Sequence, residues 1–250
     1  MSSLIGKVAL VTGSAKGIGN SIAIVLAEKG ADIILNDLSD GEEIQQTIRM
    51  IKKYNRKVYF KAADVSSEIE VNALFQFIKE ATGKLDILVN NAGTSKAQDI
   101  FETTLEDWES ILKTNLNSCF LCSKRALEFM KNQKDGRIIN LSSVVAQQGA
   151  LSGHTHYAAS KSAILGFTKT LARTAAPFGI RVNAIAPGII ETELLRQTHG
   201  DEGIAKIAEG VPLGIGQPRD IGLAVAFLAG EGGNYITGAT LDINGGLYYR

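Results

Sequence analysis

Cysteine is almost missing from this chain of 250 residues, which has only Cys119 and Cys122. Two thiols cannot build the disulfide framework of a small secreted domain. They form a C-x-x-C, but lie in an apolar helical pattern (Leu116, Cys119, Phe120, Ser123, Leu127) without a second ligand pair. They read as buried thiols on a helix face, not as a redox pair or half a metal site. Histidine is scarce too, at three residues. His154 and His156 have no carboxylate or third ligand in view, so no metal is expected. They stand beside Tyr157 and are candidates for substrate contact. Charge of either sign is not in excess, with 26 basic and 26 acidic residues. That balance argues against nucleic acid or an anionic membrane as the main partner. No apolar run approaches the ~20 residues of a membrane span, and MSSLIGKV has no signal-peptide pattern, so a cytoplasmic address is expected. Repeats, linkers and low-complexity runs are missing as well, which leaves one ordinary globular chain.

What is present is concentrated first in Thr12–Gly19, TGSAKGIG. The apolar run Val8–Val11 before it suits a buried parallel strand. After it Ile18, Ile22 and Leu26 recur at helical spacing. Gly30 follows where that helix would stop, and 32–37 resumes as a strand ending in Asp37. Strand, glycine turn, helix and strand with a terminal acid make a dinucleotide-binding unit. Gly13 permits the tight turn, Gly17 a close approach of backbone to pyrophosphate, and Gly19 close packing of helix on strand. The helix N-terminus then faces the phosphates. Asp37, eighteen residues past Gly19, is placed to accept from an adenosine ribose.

Strand and helix signals alternate to the end, which predicts an α/β fold with one doubly wound parallel sheet. Further strands are expected at 57–62, 85–89, 137–141, 180–185 and 239–243, seven in all. Helices are expected at 69–81, 105–133 (interrupted near Thr114), 157–178 and 218–228. Residues 189–216 are less regular and read as a lid over the substrate. Tyr157 and Lys161, four apart, share a helix face. A cation close to the phenol lowers its pKa from the ordinary ~10 and makes it a usable acid or base.

With these residues together, the chain resembles the short-chain dehydrogenases/reductases along nearly its whole length. TGSAKGIG is similar to that family's Gly-x3-Gly-x-Gly cofactor turn, Asn90–Gly93 to its NNAG element, and Tyr157-x3-Lys161 to its catalytic pair. Pro187-Gly188 with Thr192 resembles its nicotinamide-contacting segment. The resemblance implies a single Rossmann-type domain, a nicotinamide cofactor, and interconversion of a secondary alcohol and a ketone. Tyr157 would be the general acid/base, with Lys161 lowering its pKa and binding the nicotinamide ribose. Ser143 would hold the substrate oxygen, with Ser142 as the fallback. Ser143 and Tyr157 are one residue further apart than is usual in the family, which points to an insertion in the 147–156 loop. Asn115 would bend the long helix and hold a relay water. The resemblance extends the cofactor set from Gly13, Ser14, Lys16, Gly17, Ile18, Gly19, Asp37 and Leu38 to Asp64 and Val65 beside the adenine. Asn91, Ala92, Gly93, Pro187, Gly188, Ile190 and Thr192 would follow toward the nicotinamide.

Asp37 would repel the 2′-phosphate of NADP while Lys16 would favour it; contact range gives the acid the larger effect, so NAD is expected. Tyr235-Ile-Thr-Gly, Asp242-Ile-Asn-Gly-Gly and Leu171-Ala-Arg173 resemble the 3-oxoacyl-carrier-protein reductases, family members that generally use NADPH. NAD-dependent polyol, sugar-acid and hydroxysteroid dehydrogenases share the acid at Asp37. A non-catalytic sensor or scaffold would have lost part of the Asn–Ser–Tyr–Lys set, which is complete here. The family resemblance also implies a homotetramer built on 105–133, 157–178 and the C-terminal strand.

Overall fold

A computed structural model describes residues 3–150 and 153–250. Seven strands form one parallel sheet: β1 (Val8–Thr12), β2 (Asp32–Asp37), β3 (Val58–Ala62), β4 (Ile87–Asn90), β5 (Gly136–Leu141), β6 (Ile180–Pro187) and β7 (Thr240–Ile243). Their spatial order is β3-β2-β1-β4-β5-β6-β7. The order reverses between β1 and β4, so the crossover helices diverge there and leave a crevice at the strands' C-terminal ends.

The strands read as continuous apolar runs because both faces are covered. Along β1, Ala9 and Val11 enter one core, shared with Ile33, Leu35 and Ile22. Val8 and Leu10 enter the other, shared with Ile34, Leu74 and Ile138. Helices α1 (Gly17–Glu28), α2 (Glu42–Lys52) and α9 (Pro218–Ala229) cover the first face; α3 (Glu68–Thr82), α5 (Ser118–Gln133) and α7 (Thr155–Ala175) cover the second.

The break expected near Thr114 takes a definite form. Helix α4 (Leu105–Leu112) passes into a π-helical turn, Lys113–Asn117, and then into α5. The Asn115 side chain accepts from the Thr94 N–H at 2.7 Å and donates to the Thr94 carbonyl at 2.9 Å. That bridge to the segment after β4 holds the widened turn in place, as expected of a π-bulge at a functional site.

Three elements differ from the expectations. Helix α2 was not foreseen, although its signals are there: Glu42 and Glu43 in the first turn, Arg49 and Lys52 in the last, and buried Ile44, Thr47 and Ile51 on one face. A short helix α6 (Val145–Gln148) interrupts the loop after β5. Most of the 189–216 segment is helix α8 (Glu193–Glu209), capped by Thr192 and kinked at Gly200. Its apolar residues form no stripe, so periodicity could not show it. Its ends are tied by a bridge between Ile190 and Gly216.

Candidate active site

The crevice beside the β1–β4 reversal is a cleft of about 640 Å³. Its floor begins at the β1–α1 turn, where Gly13 and Gly17 hold φ of +62° and +59°. A Cβ on Gly19 would lie 2.1 Å from the Gly13 carbonyl oxygen, so only glycine lets α1 start this close to β1. The turn is clamped from β4. Asn91 Nδ2 donates to the Thr12 and Gly13 carbonyls, each at 2.9 Å, and Thr12 Oγ1 accepts the Asn91 and Ala92 N–H groups. Asn91 therefore spends its amide on the turn itself.

Helix α1 begins at Gly17, with Lys16 in the cap position making no side-chain cap and no acid in the first turn. By contrast α3, α4 and α8 are capped by Ser67, Thr104 and Thr192. Gly17, Ile18 and Gly19 line the cleft, so orphan N–H groups and a positive dipole end are left facing it. The donor set fits an anionic dinucleotide. Asp37, at the end of β2, also lines the cleft. Its carboxylate accepts from the Ala15 N–H at 2.8 Å and the Leu38 N–H at 2.9 Å, which fixes it at the rim.

On the opposite wall α7 presents Tyr157 and Lys161. Lys161 is buried, and its Nζ donates to the Leu141 carbonyl at 2.8 Å. Burial holds its ammonium down at about 8. Burial pushes the Tyr157 phenol up from its ordinary value, and a hydrogen bond with Ser143 opposes that shift. The expected lowering by Lys161 is not what this cleft shows. The ammonium lies 5.7 Å from the ring centre and spends a proton on Leu141, so desolvation prevails. The two serines part company as the strand period predicts. Ser142 Oγ donates to the Lys161 carbonyl at 2.8 Å, whereas Ser143 faces the phenol. The loop between Ser143 and Tyr157, where the insertion is expected, includes 151–152, which lie outside the described residues.

Sixteen expected residues come together on this lining: Gly13, Lys16, Gly17, Ile18, Gly19, Asp37, Asn91, Ala92, Gly93, Ser143, Tyr157, Lys161, Pro187, Gly188, Ile190 and Thr192. The other five stand elsewhere. Ser14 is buried and exchanges hydrogen bonds with the Asn36 backbone. Leu38 is exposed. Asp64 closes a local turn by accepting the Ser66 N–H, and Val65 packs in the core with Val71 and Leu74. Asn115 sits behind the wall, where its Nδ2 also reaches Ser160 Oγ at 3.0 Å. Thr94, Ser95 and Glu193 line the cleft without having been expected; adjacency to Asn90–Gly93 and to Thr192 was the available signal. Cys119 and Cys122 are buried, and desolvation pushes the Cys119 thiol up to about 12, which makes it inert.

A family model described as Enoyl-(Acyl carrier protein) reductase matches residues 13–248. The 3-oxoacyl-[acyl-carrier-protein] reductase FabG of Vibrio cholerae is 42% identical over 97% of this chain and 98% of its own length. That of Escherichia coli K12 is 40% identical over the same shares. A solved short-chain type dehydrogenase/reductase from Mycobacterium marinum superposes with a TM-score of 0.93 at 31% identity, covering 99% of this chain and 98% of that one. Full-length similarity at this level, on a parallel sheet whose reversal opens the cleft just described, decides the matter: the chain belongs to the short-chain dehydrogenase/reductase family of oxidoreductases, which act on CH–OH groups with a nicotinamide cofactor.

Proposed function

We propose that the chain reduces the ketone of a 3-oxoacyl thioester to a secondary alcohol, and catalyses the reverse, with NAD(H). The observation that carries this reading is that Ser143, Tyr157 and Lys161 line the same cleft as the glycine turn and Asp37. When bound, the nicotinamide supplies or accepts the hydride. A ketone oxygen held by the Ser143 hydroxyl gains the electron pair of the C=O bond as the carbonyl carbon gains hydride, and Tyr157 Oη gives that oxygen its proton. A phenol pushed up by burial is protonated at neutral pH, the form that reduction consumes. Lys161 has two ammonium protons left after its bond to Leu141, and these suit ribose hydroxyls. The 3-oxoacyl substrate is proposed from the similarity to 3-oxoacyl-[acyl-carrier-protein] reductases. Initial rates with NADH on short 3-oxoacyl thioesters, β-ketoesters, polyols and hydroxysteroids test it. Turnover of polyols or steroids alone would overturn the substrate.

Asp37 carries the cofactor choice. Its carboxylate is tethered at the rim by two backbone N–H groups and cannot swing aside for a 2′-phosphate, whereas Lys16 is exposed. The expected kcat/KM ratio favours NADH over NADPH by at least about tenfold, near 1.4 kcal/mol, and Asp37→Ser narrows it. Equal use of the two cofactors by the native protein would exclude NAD preference, and a ratio favouring NADPH would put NADPH in its place.

The proposed assembly is a homotetramer. Leu105 and Phe120 on α4 and α5, and Leu223 and Phe227 on α9, are exposed apolar side chains on two separate faces, as two-fold contacts require. Light scattering at micromolar concentration is expected to give a multiple of the chain mass; a monomer would rule this out.

A further inference from the structure

The N-terminus of α7 has an irregular cap. His154 occupies the cap position in the left-handed region, at φ +59°, and its side chain makes no cap hydrogen bond. The N–H of Tyr157, three positions in, is one of the donors that a helix start leaves unpaired. His156, fully buried, takes it: its Nδ1 accepts from Tyr157 N–H at 2.9 Å. A ring nitrogen can accept only while it carries no proton.

A chain of partners fixes that tautomer. Lys96 Nζ donates to Asp107 Oδ1 at 2.8 Å, and Gln98 Nε2 donates to Asp107 Oδ2 at 2.9 Å. With the Gln98 NH2 on a carboxylate, its Oε1 is the atom that faces His156 Nε2, at 3.3 Å. Nε2 must then be the donor, so Nδ1 is the acceptor. The Gln98 carbonyl also accepts the His154 N–H at 2.7 Å, so one residue anchors the first turn of α7 at two points.

We propose that His156 is the positioning residue of Tyr157: its neutral imidazole stands in for the missing cap and holds the tyrosine backbone against the segment after β4. The proposal rests on Tyr157 being the acid/base. Protonation at Nδ1 would set two N–H donors against each other and release the turn that aims the phenol. The titratable and charged groups facing the ring are Asp107 from α4, which favours the cation, and Lys96 and His154, which oppose it; burial has the largest effect and holds the imidazole below its usual 6.5. The neutral form therefore prevails at neutral pH, and turnover is lost as acid titrates the ring.

Three variants test this, each checked for folding by circular dichroism and for cofactor affinity by nucleotide fluorescence. Asn presents Oδ1 where the ring has Nδ1, so His156→Asn keeps the acceptor but cannot titrate. Its kcat is expected within about threefold of native, and the fall in kcat expected of the native protein in acid, where the ring takes a proton, is expected to be missing. His156→Leu loses the acceptor; misplacing a catalytic group by a fraction of an ångström is expected to lower kcat about tenfold or more, with cofactor affinity unchanged. If His156→Leu does not fold, His156→Asn decides alone. A native protein without the acid limb, an Asn variant that keeps it, or an Asn variant as slow as the Leu variant would overturn the proposal. Tyr157→Phe measured alongside separates the two ideas. An active Tyr157→Phe overturns the acid/base reading, whereas an inactive one beside native-like His156 variants overturns only the positioning role.

Discussion

Replacing Tyr157 by phenylalanine is expected to lower kcat by roughly 10²–10⁴ while cofactor affinity stays at the native level. The phenol oxygen is the only group lost, and the ring keeps its place on the cleft wall. The dinucleotide contacts expected at Gly13–Gly19 and Asp37 lie on the far side of the cleft and are untouched. Lys161→Ala is expected to harm both turnover and binding, because the ammonium protons left after its bond to the Leu141 carbonyl are the ones proposed to hold the ribose and so to set the nicotinamide beside Tyr157. The serines give an internal control. Ser143→Ala removes the partner of the phenol and should cut turnover. Ser142→Ala removes a buried hydrogen bond to the Lys161 carbonyl, so its cost of about 1 kcal/mol should fall on stability instead. Steady-state rates beside equilibrium binding of NADH distinguish these outcomes. A Tyr157→Phe enzyme turning over a good substrate at a near-native rate would remove Tyr157 from the mechanism.

The second large effect is expected at Gly19→Ala, where a single methyl group should both destabilise the fold and empty the cleft. The added Cβ would lie 2.1 Å from the Gly13 carbonyl oxygen and 2.5 Å from Asn91 Nδ2. Backbone cannot yield as a side-chain tip does, so α1 must move off β1 or the turn must deform. Overpacking of this kind costs about 1–3 kcal/mol, which lowers Tm by roughly 2–4 °C for each kcal/mol in a chain this size. Displaced Asn91 also releases the Thr12 and Gly13 carbonyls, and the uncapped start of α1 loses its aim. Cofactor affinity is therefore expected to fall at least about tenfold, or 1.4 kcal/mol. Gly210→Ala is the comparison: its φ is −82° and a Cβ there meets nothing closer than 3.6 Å, so Tm and affinity should stay native. Calorimetry on both variants, with and without NADH, is the measurement. A Gly19→Ala chain with native Tm and affinity would mean that close packing of α1 on β1 plays no part in holding the cofactor.

The alternation of strands and helices, the parallel sheet and the glycine turn after its first strand were legible in the residues alone, whereas the strand order and its reversal between β1 and β4 came only with the fold. The first three follow from apolar runs and glycines whose meaning is local: Val8–Val11 has no polar residue to expose, and Gly13 and Gly17 permit a left-handed backbone wherever they occur. The break near Thr114 was expected too, with Asn115 as the bending residue that the family resemblance implies. Helix α8 was not legible, because its stability comes from the Thr192 cap and the tie between Ile190 and Gly216, not from a stripe. Tertiary structure alone decided which of the expected site residues share one cleft. Ser14 and Leu38 sit next to lining residues in sequence, and Asp64 and Val65 were expected from the family resemblance, yet local hydrogen bonds, exposure or core packing keep all four off the lining. It also decided the sign of the shift at Tyr157. Four-residue spacing brings a cation near the phenol, but how deeply both are buried, and that Lys161 spends a proton on Leu141, depends on β5 lying beneath them. Desolvation is a property of the surrounding fold, so it outweighed the charge that the spacing had promised.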